Sequence, residues 1–101
     1  MELLDVVSAK EIRGQIVGIL KRNYPYQTGD KLINEILQDM QYIVSPAVVS
    51  GYLTYLEEKG YIESENVAAY GVARRLVKLT PKGIDLIEGN IDADPGVMLR
   101  D

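Results

Sequence analysis

Cysteine and histidine are both absent from this chain of 101 residues. Without cysteine there is no disulfide framework and no thiol chemistry, and without histidine the commonest metal ligand and neutral-pH acid–base group is missing. Phenylalanine and tryptophan are absent too, so seven tyrosines make up the whole aromatic complement. Long apolar runs are lacking: the first, residues 3–7, is interrupted by Asp5, which leaves neither a signal peptide nor a transmembrane span. Carboxylates do occur in pairs, as Glu57-Glu58 and as Asp85 with Glu88, but no Gly-x-Ser-x-Gly and no Gly-x-x-x-x-Gly-Lys-Ser/Thr accompanies them. The expectation is a cytoplasmic protein that is not an enzyme, carries no metal or cofactor and does not enter a membrane. Positive charge is also short, with 11 Lys and Arg against 15 Asp and Glu and a net −4. A strong, sequence-indifferent nucleic-acid binder usually shows the opposite balance.

What is present suffices for one domain, with 47% hydrophobic residues and a length that supports a single core. The most organised stretch is S-P-A-V-V-S-G-Y-L-T-Y-L-E-E-K-G, residues 45–60. Ser45 can cap a helix, Pro46 suits the first helical position, and Gly60 can end it. Val49, Leu53 and Leu56 recur at helical spacing, with Val48 and Tyr52 flanking them, which predicts a helix over 46–59 with a buried stripe. The opposite side carries Ala47, Ser50, Gly51 and Thr54, small enough to be laid against a large surface.

Upstream, Ser8-Ala9-Lys10-Glu11 has the form of a capping box, and Ile12, Ile16, Ile19 and Leu20 follow as a stripe, predicting a helix over 9–23 that stops before Tyr24-Pro25. Gly14, Val17 and Gly18 form a second face, suited to close packing inside the domain or to a dimer seam. Thr28-Gly29-Asp30 opens another helix, with Leu32, Ile33, Ile36 and Leu37 inward and Lys31, Asn34, Glu35 and Gln38 toward water. Residues 40–44 connect it to the 46–59 helix with the spacing of a helix-turn-helix. Downstream, 61–63 reads as a strand, 64–71 as a turn region and 72–79 as a second strand, with Val77 and Leu79 on the core face and Leu76 and Lys78 on the other. Thr80-Pro81 starts a short helix that ends at Gly89. Residues 90–101 read as a turn-rich or flexible tail, so the core is expected over about 8–89. The fold class is α+β, mostly α: three helices, a two-stranded hairpin and a short C-terminal helix.

This order resembles the winged-helix family of DNA-binding regulators, in particular its MarR-like and PadR-like branches. The strings that carry the likeness are V-S-G-Y-L-T-Y-L-E-E-K-G-Y-I from Val49 and V-K-L-T-P-K-G-I-D-L-I from Val77. Similar small proteins occur in prophages. The resemblance implies a transcriptional regulator, with 46–59 as the recognition helix and 61–79 as the wing, contacting duplex DNA as a homodimer.

The residues themselves support this unevenly. Bases are read in the major groove chiefly by Arg, Lys, Asn and Gln, and the exposed side of the recognition helix has none of them before Lys59. Ser45, Ala47, Ser50, Gly51, Thr54 and Tyr55 are the candidate contacts there, by hydroxyl or by close approach. The basic candidates Arg74, Arg75 and Lys78 lie on the wing, which with Lys82 outnumbers the acids Glu63 and Glu65. They can serve phosphates, or ordinary salt bridges on a solvated strand. Two readings therefore stand: a DNA-binding regulator, and a winged-helix protein–protein interaction module, possibly phage-derived, whose acidic, small-residue surface takes a protein partner. Leu3, Leu4, Val6 and Val7 are apolar enough to predict a homodimer that uses residues 1–7.

Overall fold

The computed structural model describes the backbone of residues 3–99 and the side chains of residues 5–99. Seven elements follow in order: α1 (Leu3–Asn23), β1 (Thr28–Gly29), α2 (Asp30–Asp39), α3 (Pro46–Glu58), β2 (Ile62–Ala69), β3 (Val72–Leu79) and α4 (Pro81–Glu88). The strands form one antiparallel sheet in the order β1-β3-β2. This is an α+β, mostly helical winged-helix fold.

α3 forms as its residues dictate. The Ser45 hydroxyl accepts from the Val48 amide at 3.2 Å, Pro46 opens the helix, and Val49, Leu53 and Leu56 are buried. Its end is a Schellman turn, with the Tyr61 amide donating to the Leu56 carbonyl and the Gly60 amide to Glu57, and Gly60 at φ +84°. The same device closes α2, where the C′ position is held by Gln41 at φ +73° instead of a glycine. Thr80 caps α4 through the Gly83 amide at 3.1 Å.

Several expectations give way. α1 begins at Leu3, six residues before the expected start, and Ser8 lies inside it, so the capping box does not form. Asp5 supplies the acidic first turn that favours a helix N-terminus, and nothing between it and Ser8 breaks the helix. The 64–71 turn region is mostly strand: Ser64 pairs with Val77 and the ladder continues to Ala69 opposite Val72. The turn itself is only Tyr70-Gly71, both with positive φ, the two-residue form whose twist matches the strands. Thr28 and Gly29, expected to open a helix, first pair with Val77 and Leu76 as β1. On α2, Leu32 is half-exposed while Asn34 is buried at 8%, because the inward face centres on Ile33 and Leu37. Val77 and Leu79 point into the core as their alternation predicts.

The core lies between α1, α2, α3 and the sheet, and extends past residue 89 to Val97. Residues 90–99 contain turns and bends, yet they dock on α1. The Met98 amide donates to the Lys10 carbonyl at 3.0 Å, and a Cβ at Gly14 would overlap the Met98 carbonyl. Gly14 thus serves packing inside the domain. Of the proposed dimer segment, residues 1 and 2 and the side chains of Leu3 and Leu4 lie outside the described residues, as do residues 100 and 101 of the tail.

Candidate nucleic-acid interface

The capped N-terminus and buried stripe of α3 fix which side faces out. Ala47, Ser50, Gly51 and Thr54 are exposed, and nothing lies within 4 Å of a Cβ built on Gly51. Ser45 is exposed too, but its hydroxyl is engaged in the helix cap. Tyr55 is turned to the other flank. The Arg13 guanidinium from α1 lies over its ring, 4.1 Å from the centroid, while Arg13 Nε donates to the Gly96 carbonyl at 2.8 Å. Its hydroxyl lies against Gly96, where a Cβ would collide with it.

Beneath this flank sits a small polar network. The Tyr61 hydroxyl donates to Asp94 at 2.6 Å, the Gly96 amide donates to the other carboxylate oxygen at 2.7 Å, and Lys59 pairs with Asp94 at 3.2 Å. Desolvation is the largest influence on Asp94 and pushes its pKa up. The donations from Tyr61, the Gly96 amide and Lys59 outweigh it and hold the carboxyl below its ordinary range. Burial, then the bond to Asp94, pushes the Tyr61 phenol up to about 12. This network ties the tail to the end of α3.

The wing candidates part company. Lys78 pairs across the strands with Glu63 at 3.4 Å. Arg75 folds onto α3: Nη2 meets Glu57 at 3.0 Å, Nη1 donates to Thr54 Oγ1 at 3.2 Å and reaches the Ser50 carbonyl at 3.4 Å, and Nε donates to Ser64 Oγ at 3.2 Å. The Ser64 hydroxyl also donates to Glu57. That hydroxyl first and Arg75 second lower the Glu57 pKa. Arg74 bonds only the neighbouring Ala73 carbonyl at 3.3 Å, and among the described residues it has no carboxylate partner. It is the wing cation whose charge is not already countered.

Between α3 and the wing runs a cleft of about 550 Å³, lined among others by Asp30, Ser50, Glu57, Ser64, Arg74 and Arg75. It brings Ser50 together with both arginines; Lys78 and Tyr55 do not line it. A second groove runs between α2 and the first turns of α3, where Lys31 and Gln38 join Ser50 and Arg74. Helical periodicity alone places Lys31 and Gln38 toward water; the signal for their place here is the helix-turn-helix itself, which sets α2 beside the start of α3. Asn34 lines this groove, and its Oδ1 is buried with no donor among the described residues. No group of acidic, histidine or cysteine side chains among the described residues could hold a metal ion.

No protein-family model matches the chain, and none of the curated proteins does. Solved structures do match it. A PadR family transcription regulator from Clostridium difficile is 22% identical with a TM-score of 0.64, covering 78% of this chain and 81% of its own. The reduced form of the transcriptional regulator YodB from Bacillus subtilis is 20% identical with a TM-score of 0.60, over 77% of this chain and 69% of that one. Bacillus subtilis PadR in complex with operator DNA is 16% identical with a TM-score of 0.62, over 83% of this chain but 49% of that one. The structural neighbours are thus winged-helix transcription regulators, PadR-family proteins among them, and at these identities the likeness speaks for the fold.

Proposed function

We propose that this chain is a DNA-binding transcriptional regulator, working in the cytoplasm without catalysis, that lays α3 in the major groove of duplex DNA and sets the β2–β3 wing beside it. The observation that carries this is the exposed, small-residue face of α3 (Ala47, Ser50, Gly51, Thr54) opening onto a cleft whose far wall presents Arg74, which has no carboxylate partner among the described residues. The operator complex of the PadR neighbour adds support, since a chain of the same fold engages DNA there. Arg74 and Lys31 would meet phosphates on the two sides of the helix. Titration of labelled random-sequence duplex at low and at physiological salt tests the proposal: binding that weakens steeply with salt supports it, and no binding at either salt refutes it.

The regulator would act as a homodimer through the start of α1. Val7 is 42% exposed, Ile43 fully exposed and Val48 43% exposed. Ile43 and Val48 line a groove shared with Asp5 and Ser8 of α1, on which a second copy could bury its own residues 1–7. A second reading keeps one observation of its own. The wing tip, residues 67–73, carries no charge, and Tyr70 at its apex is fully exposed. An uncharged tip suits a protein partner better than a phosphate backbone. No helix among the described residues is long and apolar enough to cross a membrane.

A further inference from the structure

The side of α3 that a duplex would meet contributes no Arg, Lys, Asn or Gln of its own. A guanidinium nevertheless lies on that side, delivered from another element. Arg75 reaches from β3 so that Nη1 sits 3.2 Å from Thr54 Oγ1 and 3.4 Å from the Ser50 carbonyl, while Glu57 holds Nη2 and Ser64 holds Nε. Ser64 also donates to Glu57, so hydroxyl, carboxylate and guanidinium close a triangle that fixes the plane of the fork. The Arg75 side chain keeps 18% of its surface accessible.

We infer that Arg75, presented by the wing and buttressed by Glu57, is the base-reading residue of the recognition surface, and that it takes a guanine in the major groove. The inference rests on the proposal that the chain binds duplex DNA. A guanidinium has five N–H donors, and four are engaged here. The fifth, on Nη2, meets no acceptor among the described residues, and of the Nη1 bonds the one to Ser50 is long and the one to Thr54 solvent-exposed. The end-on pair of donors, one on Nη1 and one on Nη2, is therefore open to the O6 and N7 acceptors of guanine, while Glu57 and Ser64 hold the Nη2 and Nε edge. Two parallel bonds to those acceptors are what a guanidinium fork makes and an ammonium does not. Compensated by Arg75, the Glu57 carboxylate no longer repels a nearby phosphate, which accounts for an acid on this helix. Arg75 would then confer sequence preference, leaving charge-driven affinity to Arg74.

The test is selection of binding sites from a random-sequence duplex pool by the full chain, followed by affinity measurements with Arg75→Lys and Glu57→Gln. The wild type should select sites with a fixed G·C pair, and replacing that pair should weaken binding about tenfold or more. Arg75→Lys keeps the charge but not the fork, so the ratio of its affinities for the selected site and for the site with that pair replaced should fall toward one, whatever its affinity for random duplex. Glu57→Gln leaves Arg75 in place and should retain only part of the discrimination, which keeps the test decisive even if Arg75→Lys fails to fold. A selected site without guanine, or a guanine preference that survives both substitutions unchanged, overturns the inference while DNA binding stands. A wild type that binds no duplex overturns both.

Discussion

Tyr61→Phe isolates one atom of the network that fastens the tail. The hydroxyl it removes donates to Asp94 at 2.6 Å, and both residues are buried, at 5% and 9% exposure. A hydrogen bond to a charged acceptor contributes about 1.5 to 3 kcal/mol. The substitution leaves Asp94 with Lys59 and the Gly96 amide, so the loss at pH 7 should stay within that range and not reach the cost of an unpaired buried charge. The difference between wild type and variant should also depend on pH in a defined way. The Tyr61 pKa is raised in the fold to about 12, so its contribution is complete below the unfolded value of about 10 and fades as pH rises from there toward 12. The Asp94 pKa is lowered, so the bond's contribution is complete above the unfolded value of about 4 and fades as pH falls below it. Urea melts of both proteins between pH 3 and pH 11, followed by far-UV circular dichroism, would show a plateau with two falling edges. Equal stability of wild type and Tyr61→Phe at pH 7 would refute the network as a source of stability. A difference that does not shrink above pH 10 would refute the assigned titration.

Three further outcomes are expected. Leu53→Ala, at a fully buried position of α3, should cost about 2 to 5 kcal/mol, whereas Thr54→Ala removes only an exposed hydrogen bond to Arg75 and should cost at most about 1 kcal/mol; equal losses in urea would contradict the register of α3. Asn34→Leu removes a buried acceptor that has no donor among the described residues, so it should be neutral or stabilising by up to about 3 kcal/mol in the same assay, and a clear destabilisation would mean that Asn34 holds the groove together. Deleting residues 1–7 should give monomers in sedimentation; a full-length chain that is already monomeric at high concentration sinks the dimer.

The legible parts of the fold were those written in local chemistry. Ser45 and Pro46, the Val49–Leu53–Leu56 spacing and the Val77/Leu79 alternation each specify their element within a few residues, and the core face of α3 and β3 followed. What escaped depends on partners distant in sequence. Arg13 and Gly96 are 83 positions apart, so no periodicity could announce that an Asp-, Pro- and Gly-rich tail is clamped to α1. β1 is two residues long and exists only because β3 lies alongside it. The hairpin turn was hidden because Tyr70 adopts positive φ, a conformation that glycine or asparagine usually signals. At the candidate site the sequence grouped Arg74, Arg75 and Lys78 as equal cations. Their distinction comes from acids placed by other elements: Glu57 on α3 for Arg75 and Glu63 on β2 for Lys78.

The most direct test of the DNA-binding account is the salt dependence of duplex affinity for the wild type and for Arg74→Ala. Each phosphate contact contributes about 0.9 to the slope of log affinity against log salt, so losing Arg74 should flatten the slope by about 0.9 per subunit. Lys78→Ala, whose charge Glu63 already counters, should change the slope much less. A wild type that binds duplex with a steep slope, flattened specifically by Arg74→Ala, is the predicted result. A wild type that shows no duplex binding even at low salt would contradict the account and leave the protein-partner reading in its place.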